Sequence, residues 1–297
     1  MDPALLLVFV ALGGGLLCAR AAVFPANAAE TLNKFVVTVS LPCLVLRLVP
    51  KLALSARHGA LVLAPWVLAA VTAAIVLAVH RVRPFRREVL GALLLCTPLG
   101  NTSFLGFPMI GALLGADAVR LAVLYDQLGS FLILATYGVV VVARFSSDVR
   151  PGPAEILRRV ATFPPFVALV LGLAKVPIPT LLEPTLSRLG DTLVPLALFA
   201  VGLRLELRKP RDGGALAFGL GVKMLVAPLV AAPLSHALGA NPEVHRVVVL
   251  ESAMPPMITA AALASAAGLA PELCAALVGY GVLASVVTLP AIARIAG

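Results

Sequence analysis

The chain has 297 residues, 61% of them hydrophobic and 12% charged, with a formal net charge of +9 and a mean hydropathy of +1.05. Soluble domains carry roughly 25% charged residues, so this composition excludes a single water-facing globule and makes lipid the solvent for much of the surface. The positive charge does not call for a nucleic-acid partner, because the basic residues collect between apolar runs, where they set orientation in a bilayer.

A membrane-crossing helix needs about 20 apolar residues. Apolar runs separated by charged or Pro/Gly-rich breaks predict an all-α membrane protein with ten spans: 4–19, 34–50, 59–80, 89–115, 119–143, 155–174, 187–205, 214–238, 246–267 and 272–293. The first run follows Asp2 and Pro3 with no basic leader, so it reads as a span and not as a cleaved signal peptide. A basic, proline-bearing linker at 146–154 divides the chain into two five-span halves, 1–145 and 155–297. An odd number of spans per half forces opposite orientations, so halves that are repeats are inverted repeats. Pro42 and Pro195 occupy the second span of each half, and Gly115 and Gly268 end the fourth; both pairs are 153 positions apart.

With the N-terminus outside, 14 Lys and Arg residues fall inside and 8 outside, Lys223 being within a span and uncounted. The positive-inside rule then places both termini outside and the central linker in the cytoplasm.

Two predicted spans look broken. The fourth contains Pro98, Gly100, Gly106 and Pro108, with Asn101, Thr102 and Ser103 at the same depth. The ninth reads Glu251-Ser-Ala-Met-Pro-Pro256. Proline removes a backbone donor and frees a carbonyl upstream, and irregular backbone survives in a membrane only where it is buried or lines a wet cavity. The breaks occupy the fourth span of each half, so inverted repeats would bring them together near the bilayer midplane. Positive half-helix ends would then face an anion, and freed carbonyls and side-chain oxygens would hold a cation.

At these residues a resemblance emerges. Gly100-Asn-Thr-Ser-Phe-Leu-Gly-Phe-Pro108 is similar to the fourth-helix signature of the auxin efflux carrier family, which includes the plant PIN carriers and bacterial organic-acid permeases. Pro195-Leu-Ala-Leu-Phe-Ala-Val-Gly202, Lys223-Met-Leu-Val-Ala-Pro228, Ala253-Met-Pro-Pro256 and Thr288-Leu-Pro290 fit in the same order along the whole chain. The resemblance implies ten helices in two inverted repeats, crossing fourth and ninth helices, an elevator-like movement, homodimers and small organic-anion substrates. The missing long central loop of many PIN carriers suits a bacterial member in the inner membrane. A more distant resemblance, to bile acid:sodium symporters, implies a sodium site: Glu251 and Met254 resemble a ninth-helix Glu and Met that help bind sodium, and Asn101 resembles a fourth-helix Asn of that site. The coupling stays open, since membership in the first family does not itself require sodium.

The expected substrate contacts are Asn101, Thr102, Ser103, Pro108, Met254, Pro255, Pro256, Thr259 and Asp126. The expected ion-coupling residues are Glu251, Asn101, Ser252 and Met254, with Na+ at Glu251 and Asn101 as the one candidate ion. Glu251, Lys223 and Asp126 lie inside spans, where ionisable groups are costly and functional by default. Glu251 is read as an ion ligand, a proton acceptor or the structural partner of Lys223. Lys223 is read as holding a freed ninth-helix carbonyl, pairing with a carboxylate or touching substrate. Asp126, beside Tyr125 and Gln127, is a polar packing site or a cavity wall. Arg47, Asp191, Arg204 and Glu206 lie near span ends and can snorkel to water. Gly13-Gly14-Gly15 reads as close helix packing.

Cys18, Cys43, Cys96 and Cys274 lie in apolar runs without metal-ligand spacing, so they read as small core residues. No hydrolase, zinc-protease or phosphate-loop motif is present, so the chain reads as no enzyme. The rivals to an ion-coupled carrier are a potential-driven uniporter and a channel, because broken helices also line pores. The charge count makes a first test: a C-terminal reporter active only in the cytoplasm stays silent on a functional fusion, and strong cytoplasmic signal overturns the topology.

Overall fold

The computed structural model describes residues 3–52, 55, 58–146, 152–205 and 211–296, with side chains from residue 6 onward except Pro153. Among these residues the regular structure is helical, apart from one isolated bridge between Gly100 and Pro256. In chain order the helices are α1 (Pro3–Arg20), α2 (Ala28–Lys51), α3 (Gly59–Val82), α4 (Arg87–Cys96), α5 (Thr102–Leu114), α6 (Ala116–Phe145), α7 (Pro153–Ala161), α8 (Pro164–Leu173), α9 (Thr180–Leu203), α10 (Gly213–Ala237), α11 (Pro242–Ser252), α12 (Ile258–Ala266) and α13 (Pro271–Ile295). Six are long and apolar enough to cross a membrane: α2, α3, α6, α9, α10 and α13. Shorter apolar helices accompany them, including Leu6–Arg20 and Thr102–Leu114. Val10, Val140, Leu229 and Val287 are exposed, as residues facing lipid would be. Glu206 and most of the predicted linker lie outside the described residues.

The predicted sixth span, 155–174, is not one straight helix. It is α7 and α8, bent by 67°. The cause is Pro164-Pro165: the residue before a proline is pushed out of the helical region, and Phe163 sits at φ −70°, ψ 116°. That bend makes a third break, beyond the two expected around residues 100–108 and 254–256.

Prolines also explain a second irregularity. Three widened, π-helical turns run Val36–Ser40, Thr102–Gly106 and Val222–Val226. Each is followed at once by a residue and a proline: Leu41-Pro42, Phe107-Pro108 and Ala227-Pro228. A proline ring clashes with the carbonyl four residues back and leaves it without its donor; widening the turn makes room for the ring. The helix α6 has two further π turns, Asp126–Ser130 and Leu134–Gly138, without proline. There the Trp66 indole N–H donates to the Leu128 carbonyl at 3.0 Å. Gly115 (φ 96°) and Gly268 (φ 72°), the pair matched in the two halves, both adopt the left-handed backbone that favours glycine, one after α5 and one after α12.

The chain forms two compact units that do not follow the two halves of the sequence. The first comprises Met1–Ser55, Ser103–Val123 and Leu157–Leu205; the second comprises Ala56–Thr102, Leu124–Ile156 and Glu206–Gly297. In the second unit, Leu93, Leu95 and Cys96 of α4 pack with Ala261 and Ala264 of α12 and with Cys274 and Leu277 of α13. All four cysteines are free, and the buried Cys96 and Cys274 sulfurs lie 3.9 Å apart.

In the first unit, α1 lies directly against α9. A methyl group on Gly15 would collide with the Phe199 carbonyl, and one on Gly202 with the Leu12 carbonyl. Of the glycine run, only Gly15 makes this approach: Gly14 makes ordinary contact with the Phe199 ring, and Gly13 has open space. Close backbone contact of this kind holds helices together where lipid supplies no hydrophobic drive. Nearby, the Ser40 and Thr192 hydroxyls share a hydrogen bond of 2.7 Å. Arg47 pairs with Asp191 at 2.9 Å and donates to Ser187 at 2.7 Å, and Arg204 is exposed. The Gly202→Val variant should lose about 1–3 kcal/mol, the usual cost of overpacking, seen as a lower melting temperature in detergent. Unchanged melting would remove the α1–α9 backbone contact from this account.

Candidate functional site

Two interruptions organise the second unit. Between α4 and α5, the chain leaves the helical ladder after Cys96, where Pro98 follows. Between α11 and α12 it does so after Ser252, where Pro255 and Pro256 follow. The two stretches satisfy each other. The Asn101 N–H donates to the Pro255 carbonyl at 2.8 Å, and the Met257 N–H donates to the Leu99 carbonyl at 2.9 Å. They form a short antiparallel bridge at Gly100 and Pro256.

The bridge is tightly backed. A methyl on Gly281 of α13 would lie 2.9 Å from both Pro255 Cβ and Pro256 Cδ. On Gly100 it would lie 2.9 Å from Lys223 Nζ. Lys223 belongs to the π turn of α10, is 4% exposed, and donates to the Ser252 carbonyl at 3.0 Å. It thus meets a carbonyl beside the ninth-span break, one of the three roles expected for it. It places positive charge at the negative end of α11.

Around this bridge the polar side chains divide into satisfied and unsatisfied. Asp126 accepts from the Thr102 hydroxyl at 2.5 Å and from the Gln127 amide at 2.6 Å. The Ser252 hydroxyl returns to the Val249 carbonyl at 2.7 Å. Glu251 is fully buried, and neither carboxylate oxygen has a hydrogen-bond partner among the described residues. Asn101 is 1% exposed, with its side-chain oxygen and nitrogen both unpartnered. Buried polar groups are almost always paired, and here Glu251 and Asn101 both lack a side-chain partner among the described residues.

A small cavity opens there, lined by Thr72, Thr102, Tyr125, Ser130, Lys223 and Glu251 among others. Its space for the centre of a water molecule is ≈ 10 Å³, about the volume one water needs. In this conformation it has room for one water-sized particle.

The expected site residues are distributed as follows. Asn101, Thr102, Asp126, Glu251, Ser252, Met254, Pro255 and Pro256 are all buried within the second unit. Thr259 is exposed on α12. Ser103 and Pro108 belong to the first unit. The sequence reading missed Thr72 and Ser130 of the cavity wall and the buried, unpartnered Thr97 hydroxyl. Each is a lone hydroxyl in an apolar run, and many such hydroxyls merely bond back within their own helix, so the only available signal was weak. No group of three or more His, Cys, Asp or Glu side chains suited to a metal occurs among the described residues.

Apolar helices long enough to cross a bilayer, with two interrupted helices joined at their breaks around buried charge, define a membrane transporter built on broken helices. The family described as "Membrane transport protein" matches residues 3–152 and 153–293, and the chain belongs to it: this is a transporter of the auxin efflux carrier family and not an enzyme. It is 30% identical over 241 residues to an "Uncharacterized transporter" of Methanothermobacter thermautotrophicus, covering 78% of this chain and 77% of that one. It is 31% identical over 184 residues to an "Uncharacterized transporter" of Methanocaldococcus jannaschii, covering 57% of this chain and 56% of the relative. Both relatives are archaeal, whereas the resemblance suggested a bacterial setting.

Because Gly281 holds the proline pair from behind, Gly281→Ala should loosen the bridge. The expected loss is about 1–3 kcal/mol, read as a lower melting temperature, together with slower transport. A variant with normal melting and normal transport would show that the Pro255–Pro256 backing is dispensable.

Proposed function

We propose that the chain is a secondary carrier of small organic anions, carboxylates above all, working by elevator-type alternating access. The observation that carries this reading is the bridge of two broken helices with Glu251 and Asn101 buried and unpartnered beside it. In broken-helix carriers the positive N-terminal ends of half-helices face anionic substrate, and here α5 and α12 begin directly after the breaks. Asn101 and Thr102 contact the carboxylate, with Asp126, Met254, Pro255, Pro256 and Thr259 of the same unit completing its surroundings. Coupling runs through Glu251, with Asn101, Ser252 and Met254, and takes either sodium or a proton.

The architecture belonging to this reading is ten spans in two inverted five-helix repeats. Ten apolar runs, the paired Gly115 and Gly268 turns and the family match on either side of residue 152 support it. Both breaks fall in one compact unit, as a carrier whose site moves as a body requires. The protein then works as a homodimer in a cell membrane with both termini outside.

Purified protein in proteoliposomes should take up a labelled carboxylate from a panel of small mono- and dicarboxylates, saturably and with counterflow. Glu251→Gln and Asn101→Ala should each lower uptake about tenfold or more, the equivalent of about 1.4 kcal/mol. Single-channel conductance without saturation would replace the carrier by a channel, and normal uptake by both variants under every ion gradient would move the site elsewhere.

A further inference from the structure

Lys223 sits where a transported cation would be expected. In a broken-helix carrier the freed carbonyls and negative C-terminal end of a half-helix coordinate the coupling ion. Here that position, the end of α11, is filled by the Lys223 ammonium, which donates to the Ser252 carbonyl at 3.0 Å. The fit is close: a Cβ at position 100 would lie 2.9 Å from Nζ, so the lysine end would have to shift to admit one.

The charges around this ammonium do not balance. The titratable groups facing Glu251 are Lys223 from α10 and Asp126 and Tyr125 from α6. The neighbouring α3 brings Pro65, Leu68 and Thr72 to the cavity, none of them titratable, and α13 brings no residue to its wall. Asp126 accepts two donors, Thr102 and Gln127, as a carboxylate does. Two acids and one fixed ammonium leave the cluster one positive charge short. The carboxylate without a hydrogen bond is Glu251. The space beside it measures ≈ 10 Å³ and is also lined by Lys223. A metal cation there would lie against the ammonium, one like charge on another. A proton needs no extra room and adds no separate point charge.

We propose that Lys223 is the built-in cation of this site and that its one missing positive charge is a proton on Glu251, so that transport is driven by protons and indifferent to sodium. The inference rests on reading the bridged breaks as the transport site. In the step itself, a hydronium in the cavity gives up an O–H bond, a Glu251 oxygen gains one, and the reverse occurs on the other side of the membrane. No electrons change hands, and one proton travels with each loading of the site.

The test needs no substrate. The first measurement is the melting temperature of the purified full chain in sodium chloride against choline chloride at equal ionic strength. The second is the infrared band of a protonated carboxylic acid across a pH titration, in wild type and in Glu251→Gln. The expected result is no sodium-specific shift in wild type, together with an acid band that Glu251→Gln removes. Lys223→Met vacates the cation position while keeping bulk, and it should acquire a sodium-dependent rise of several degrees, as a ligand that binds only the native state produces. A sodium-specific shift in wild type that Glu251→Gln abolishes overturns the proposal. So does the lack of any acid band belonging to Glu251, or a folded Lys223→Met variant still indifferent to sodium. Where Lys223→Met fails to fold, the two wild-type measurements decide. Failure of the carrier reading is separate: it appears as no uptake of any carboxylate in the panel, whatever the ion measurements give.

Discussion

The structure around the site follows from one requirement: a backbone N–H or C=O taken out of water must find a partner. Pro98, Pro255 and Pro256 take two stretches of chain out of the helical ladder inside an apolar body. Neither stretch can be left bare. Each supplies what the other lacks, Asn101 N–H to Pro255 C=O and Met257 N–H to Leu99 C=O, and the leftover Ser252 carbonyl takes the Lys223 ammonium. The identities of the neighbours follow from that arrangement. Lys223 passes close beside Gly100, and the proline pair leans on Gly281, where a side chain would collide with the two rings. A charge that is costly in lipid is here part of what makes broken backbone tolerable.

The same chemistry places the other polar side chains. Thr102, Asp126 and Lys223 each sit in a π turn. A widened turn rotates the residues that follow it relative to a regular helix and leaves carbonyls less firmly bonded, which is why such turns gather at functional sites. In α5 and α10 the widening is laid down by Pro108 and Pro228, each downstream of the polar residue it affects. In α6 the turn at Asp126 needs help from outside the helix, and Trp66 provides it by donating to Leu128. Proline thus acts twice: within a break it removes the ladder, and just after a π turn its ring occupies the space that the widened turn provides.

Much of this was legible before any coordinates. Apolar runs made the long apolar helices legible, because lipid tolerates few charges and span length is set by bilayer thickness, although α2 and α9 begin at Ala28 and Thr180, ahead of the predicted 34 and 187. The breaks were legible because proline and glycine act locally. What escaped has a physical reason too. Pro164-Pro165 was absorbed into a hydrophobic run, since hydropathy weighs apolarity and ignores the missing N–H, and the 67° bend went unseen. The π turns escaped because Pro42, Pro108 and Pro228 read only as weak helix formers. Thr72 and Ser130 escaped because a cavity wall is assembled from distant segments, and no local spacing announces it. Glu251, Asn101 and Lys223 stood out for the opposite reason: in an apolar run each is conspicuous by its solvation cost alone.

Charge balance connects the site to the membrane around it. Moving one elementary charge through the field costs or releases about 2.3 kcal/mol per 100 mV. A cluster of Asp126, Glu251 and Lys223 that moved with both acids ionised would carry a net negative charge on every empty return, and the membrane potential would bias that return in one direction. On the proposed proton-loaded leg Glu251 is neutral, the cluster itself carries no net charge, and the field acts only on the bound anion. The Lys223 ammonium is therefore more than a brace for the Ser252 carbonyl. Under the proton-coupled proposal, an ammonium held by its hydrogen bond to the Ser252 carbonyl would set how many positive charges the site borrows from solution: one, where two acids alone would require two.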